Sequence, residues 1–176
     1  MKLAKMIFLF TLAILAVGCN KDDDNTESYK LSTTNFVDTY KMNFLEVKIS
    51  ETITFSNGTT STSTSTTVGS VFQNVNFAFN ANNNYTATGL FNTVTTVKEA
   101  DGTITVGDTV IVDLDESGTY SLNTTNKVVT LTDQDGNIVA FDITKYTENE
   151  MNLFSEIETT SNNSTITTTT EFRFSR

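Results

Sequence analysis

From about residue 29 onward, apolar and polar positions alternate with a period of two, the mark of strands with one buried face. Leu45, Val47, Ile49, Ile53 and Phe55 share one parity, with Glu51 the exception. Val75, Phe77 and Phe79 stand against Asn74, Asn76 and Ala78. Ile104, Val106, Val110, Val112 and Leu114 oppose Thr103, Thr105 and Thr109; near the end Ile166, Phe172 and Phe174 fall with Thr168 and Thr170. Between these runs lie Asn57-Gly58, Asn82-Asn83-Asn84, Asp101-Gly102, Glu116-Ser117-Gly118, Thr125-Asn126, Asp135-Gly136-Asn137 and Ser161-Asn162-Asn163. Asn-Gly and Asp-Gly accept the positive φ of tight hairpin turns. The pattern predicts strands over 29–36, 43–56, 60–80 with a break near Gly69, 84–98, 103–114, 118–123, 127–133, 137–146, 150–160 and 164–175. Eight to ten strands in an antiparallel up-and-down order would leave two exposed edges as an open sheet, and closure into a barrel removes both. The Thr/Ser run 59–67 has two readings, a disordered loop or an exposed, extended edge strand, and the lack of Pro or Gly within it favours the strand. Phe77, Phe79, Val110, Val112, Leu131 and Phe172 are expected to face inward.

Composition supports the all-β reading. Thr supplies about a fifth of the chain, 35 residues, with 13 Phe beside it, and Thr, Val, Ile and the aromatics favour strands. Ala and Leu are scarce after residue 20, which makes helix a minor element.

The first residues differ from all this. Lys2 and Lys5 precede an apolar run from Met6 to Val17 broken only by Thr11, and the sole cysteine, Cys19, follows small residues. A basic start, a short apolar stretch and a small-residue cleavage site describe a secretory signal over 1–18; a bilayer-crossing helix needs about 20 apolar residues. Ala16-Val17-Gly18-Cys19 resembles the lipobox of bacterial lipoproteins, with Leu15 one place earlier than that family's usual Leu. The resemblance implies that Cys19 is acylated and becomes the first mature residue. After Asn20, the segment Lys21, Asp22, Asp23, Asp24 resembles the surface-export signal of Bacteroidetes lipoproteins. It implies an outer-membrane lipoprotein facing outward. Residues 19–28 then form an acidic tether, and 29–176 the domain.

The signal holds two of the eleven basic residues and none of the 21 acidic ones, so the mature chain carries nine against 21, a balance of −12. Such a surface argues against nucleic acid and against electrostatic adhesion to anionic lipid. The expected partners are the membrane, through the N-terminal lipid, and one small apolar molecule; the chain is expected to be a monomer.

Chemistry is sparse. With no His and the cysteine committed to lipid, a Ser-His or Cys-His pair cannot form. Zinc, iron and copper sites usually draw on His or Cys. No cofactor and no catalytic residue is expected. The acids Asp113, Asp115, Glu116, Asp133 and Asp135 cluster at predicted turns, where acids are ordinarily solvated. Asp133-Gln134-Asp135-Gly136-Asn137 matches the opening of a calcium loop, but the twelfth position, which should be a bidentate Glu, is Thr144.

The second half, about residues 72–175, resembles the bacterial lipocalin-like domain, a calycin-type barrel. The residues that carry the likeness are Val75-Asn76-Phe77-Ala78-Phe79-Asn80 leading to Asn84-Tyr85-Thr86, then Ser117-Gly118-Thr119-Tyr120-Ser121-Leu122, Lys127-Val128-Val129-Thr130-Leu131-Thr132, Phe141-Asp142-Ile143 and Glu150-Met151-Asn152-Leu153. The Gly-x-Trp strand with which that family opens is absent, and Tyr29-Lys30-Leu31 stands in its place. The resemblance implies a barrel of eight to ten strands whose interior is either filled or left open for one apolar molecule. Phe77, Phe79, Tyr85, Tyr120, Phe141 and Phe154 are the candidate ligand-binding residues. The alternative is a non-enzymatic structural or interaction module with a filled core, an adhesion or glycan contact made by the Thr/Ser-rich outer faces.

Overall fold

The computed structural model describes residues 29–176. The strands are β1 (Asp38–Thr54), β2 (Thr60–Phe79), β3 (Asn84–Lys98), β4 (Ile104–Val106), β5 (Val110–Asn123), β6 (Val128–Asp133), β7 (Ile138–Tyr146), β8 (Glu150–Ser161) and β9 (Ser164–Ser175), preceded by a single helical turn, α1 (Thr33–Phe36). Every pairing is antiparallel. Consecutive strands pair as a meander, and β1 meets β9 to close an eight-stranded lipocalin-like barrel. The ninth strand, β4, pairs only with the far end of β3, ahead of a break at 107–109 after which β5 takes over the same neighbour.

Several elements differ from the sequence expectation: the strand expected over 103–114 breaks at 107–109 into β4 and β5, and β2 continues through Gly69 where a break is expected. The strand expected over 29–36 is an irregular segment ending in α1. Ser32 caps that turn, its hydroxyl accepting the Asn35 N–H at 3.1 Å, as short polar side chains do at helix starts. Capping lets the chain cross the barrel end and bury Phe36, which is fully enclosed. The turn expected at Glu116-Ser117-Gly118 is uninterrupted β5. Gly118 is there for space: a Cβ on it would lie 2.0 Å from the Thr132 carbonyl oxygen and 2.9 Å from the ring of Tyr85, its cross-strand partner.

Bulges reset parity where the sequence pattern slips. In β1 a register shift between Met42 and Phe44 lets Tyr40, Met42 and Leu45 all point inward. It leaves Phe44 outside, under the Arg173 guanidinium at 4.2 Å. In β2 Val71 and Asn74 take φ of 52° and 51° at two further irregularities, so that Gly69, Val75, Phe77 and Phe79 are all buried. The Thr/Ser run is a strand but not an edge. It pairs with β1 along its length and with β3 from Thr64.

The core fills one end of the barrel. Phe36 packs on Phe79 (ring centroids 4.7 Å apart) and Tyr120 (5.6 Å), with Tyr40 and Phe174 beside them. Below this layer the Arg176 guanidinium lies over Tyr29, Tyr40 and Tyr146 at 4.7–5.3 Å. Tyr29 thus stands at the closed end, against Tyr146 and Arg176. Arg176 also donates to the Tyr40 and Tyr146 hydroxyls at 2.6 and 2.7 Å and to the Asn35 carbonyl, and its Nε sits 3.1 Å from Asp38.

Towards the other end the wall is uneven. β1 and β2 run 17 and 20 residues, β6 and β7 only six and nine. β6 pairs with β5 only over Gly118–Asn123, and β7 pairs with β8 only up to Phe154. Residues 110–117 of β5 and 155–161 of β8 thus have no hydrogen-bonded strand on the β6 and β7 sides. The barrel is notched on this side. Ile49, Phe55, Val110 and Ile157, beside or above the notch, remain 42–57 % exposed. Val110 keeps the expected parity, across from Thr93, but has no opposite wall to bury it.

Candidate functional site

At the foot of the notch the inward residues do not interlock. Phe77, Tyr85, Ala87, Leu114, Leu131, Val139, Phe141 and Phe172 surround a cleft of about 280 Å³ that opens to solvent past Glu116, Asp133 and Asn137. Each lining residue is placed by strand alternation. Val112, Leu114 and Glu116 share a face of β5, Leu131 and Asp133 a face of β6, and Asn137 precedes Val139 and Phe141 with the same parity. On three successive segments the inward position is apolar low in the wall and polar at the mouth.

The rings define the back of the cleft. Phe172 packs on Phe77 (5.9 Å) and on Phe141 (5.6 Å). Tyr85 covers Gly118 from the neighbouring strand, an aromatic filling the gap a glycine leaves. It is 5 % exposed, and its hydroxyl forms no hydrogen bond among the described residues. Burial, and then the charges of Asp133 and Glu116, push its pKa above the ordinary tyrosine value. At the mouth Asp133 accepts both the backbone N–H and the side-chain amide of Asn137 at 2.8 Å. Those bonds hold its carboxyl below the usual range and fix the β6–β7 turn. An arrangement of this kind can hold an apolar body among rings and aliphatic side chains and meet a polar group at its opening.

Compared with protein-family models, with curated proteins and with solved structures, the chain has no match. The site therefore rests on its own geometry.

Of the six aromatic residues singled out in the sequence, the cleft gathers three, Phe77, Tyr85 and Phe141. Phe79 and Tyr120 belong to the closed end. Phe79 is 1 % exposed and meets Tyr120 edge-on at 5.2 Å, and the Tyr120 hydroxyl donates to the Asn80 carbonyl at 2.9 Å. Phe154 faces outward, between Asp142 and Glu171 on the adjoining strands, because Met151, Leu153 and Ser155 hold the inward positions of β8. Sequence reasoning missed Ala87, Leu114, Val139 and the three polar residues at the mouth as site residues, and placed Leu131 and Phe172 on the inner face without assigning them to the site. Parity with Val112, Leu131 and Phe141 was the signal that could have found them. Glu116, expected at a turn, is a strand residue.

Cys19 and the segment Lys21, Asp22, Asp23, Asp24 lie outside the described residues. Among the described residues there is no group of His, Cys, Asp and Glu side chains suited to hold a metal ion, and no helix long and apolar enough to cross a membrane.

Proposed function

We propose that this chain is a non-enzymatic, lipid-anchored envelope protein whose barrel takes up one small hydrophobic or amphiphilic molecule. The observation that carries the reading is the unfilled apolar cleft. Protein interiors are ordinarily close-packed, yet eight largely buried side chains here leave about 280 Å³ open to solvent. That volume sits at the small end of ligand pockets and suits a single ring or a short alkyl chain. The lipobox-like segment ending in Cys19 supports the anchor. The tether leads into Tyr29 at the closed end, so an anchored domain presents its long-stranded, open end away from the bilayer.

The test is saturable uptake of a neutral fluorescent apolar probe at one molecule per chain, read also as a change in emission of a Phe77→Trp variant. Val139→Phe, which enlarges a half-buried wall residue of the cleft on β7, should weaken uptake at least tenfold while leaving the unfolding midpoint within a few degrees. Absence of saturable binding by folded protein overturns the reading.

A second reading, a surface interaction module, is favoured by the hydroxyl rows on the outer wall. Thr160, Thr165, Thr52 and Thr62 stand side by side across four strands, with hydroxyls 3.3 Å apart in the first pair and 3.0 Å in the last. Alanine at Thr52, Thr62 and Thr165 together would abolish a contact made there and leave cleft binding untouched.

A further inference from the structure

Resting on the cleft reading, we propose that the molecule taken up is a cationic amphiphile: a small apolar body, a ring or short alkyl chain, bearing a protonated amine. Three features of the cleft point the same way. The two ionisable carboxyl side chains at the mouth, Glu116 and Asp133, occupy inward-parity positions on neighbouring strands, continuing the apolar series of Leu114 and Leu131. Asp133 is held there by its bonds to Asn137; Glu116 has no such partner among the described residues, while Asp113 and Asp115, one residue to either side of Leu114, take the outward positions. No Lys or Arg lines the cleft, so the mouth carries uncompensated negative charge above an apolar floor.

The second feature is Tyr85. The Tyr85 ring is buried, but its hydroxyl is not enclosed and has no partner among the described residues, while the Tyr40 and Tyr120 hydroxyls donate to carbonyls at 3.1 and 2.9 Å. The Tyr85 hydroxyl borders the cleft beside the two carboxylates, where it can accept a hydrogen bond from an ammonium. The third is the wall itself. Phe77, Tyr85, Phe141 and Phe172 present aromatic rings, whose faces attract cations. A fatty acid would gain the same apolar burial but bring a negative charge to a negative mouth.

A matched series separates this proposal from the reading it rests on. Decylamine, decanol and decanoate share one alkyl chain and differ in head charge, and each is titrated against the intact protein carrying the neutral probe. The amine should displace the probe at a concentration at least tenfold lower than decanoate, with decanol between them. Adding salt should narrow the gap between amine and acid and leave decanol unchanged, because charge contacts at an exposed mouth are screened and apolar burial is not. Glu116→Gln, an exposed strand position, should cut the amine preference at least threefold. Tyr85→Phe should weaken the amine more than decanol. If decanol binds but decanoate binds as well as decylamine, the cationic assignment falls and the apolar cleft stands. If Glu116→Gln leaves the preference intact, the assignment to this mouth is wrong. If none of the three displaces the probe, both readings fall.

Discussion

Two phenylalanines show how much depends on which way a residue faces. Phe36, fully enclosed, touches the rings of Phe79, Tyr120 and Tyr40. Phe154 lies half-buried on the outer wall. Truncating a packed aromatic costs about 3–5 kcal/mol, whereas surface changes usually stay within about 0.5 kcal/mol. Urea unfolding of Phe36→Ala and Phe154→Ala should differ accordingly; equal losses would mean that the outer wall is covered. Gly118 carries a second prediction at this scale. An added methyl meets the backbone of Thr132, which cannot rotate away, so Gly118→Ala should lose about 1–3 kcal/mol as overpacking does. Asp101-Gly102, an open hairpin turn, has nothing within reach of a Cβ at Gly102, but its φ of 89° reserves the position for glycine on conformational grounds instead.

Among elements, the closed end depends on the last residue of β9's extension. Arg176 joins α1, β1 and β7 through the Asn35 carbonyl and the Tyr40 and Tyr146 hydroxyls. Removing it takes a charged donor from the Tyr40 and Tyr146 hydroxyls and the Asn35 carbonyl, which keep only their neutral partners; a hydrogen bond to a charged group contributes about 1.5–3 kcal/mol. Arg176→Met should therefore lower stability by about 2–3 kcal/mol and speed amide exchange at the start of β1 and in α1 ahead of the rest of the barrel. Uniform exchange would place the loss elsewhere. The same end sets the alkaline limit. Burial raises the pKa of Tyr40, Tyr120 and Tyr146, and Tyr85 is raised in the cleft. In the unfolded chain these groups ionise near pH 10. Below that pH both states hold the protons and these groups make no difference. Above it the unfolded chain releases protons that the folded chain retains, so stability falls as pH rises. Absorbance at 295 nm should show these four tyrosines ionising late, together with loss of the fold; reversible ionisation of all of them near pH 10 in folded protein would contradict their burial.

For the whole molecule, the proposed anchor and the proposed export signal make separable predictions. Cys19→Ser should move the protein from the membrane to the soluble fraction of its host, with the barrel's unfolding curve unchanged. Retention with the outer membrane would remove the lipid from the account. Replacing Lys21, Asp22, Asp23 and Asp24 by alanine should leave the protein lipidated but shield it from protease added to intact cells. Unchanged digestion would reduce that segment to a spacer.

The alternation of the sequence determined the strands themselves. β3 and β9 begin and end where the pattern and the turn residues place them, at 84–98 and within a residue of 164–175, because period-two burial and turn chemistry are local properties. Inward parity was legible for Phe77, Phe79, Leu131 and Phe172 for the same reason. It could not separate Phe77 and Phe141, at the cleft, from Phe79 and Tyr120, at the floor. Parity tells which side of the wall a residue faces, while its height along the barrel is set by the stagger between strands far apart in sequence. Only the tertiary structure fixed that stagger, through the β1–β9 closure and the bulges at Phe44, Val71 and Asn74. It also decided that Gly118 is a close approach rather than a turn. And by pairing short β6 and β7 with long neighbours it left the notch that turns a packed interior into an open cleft.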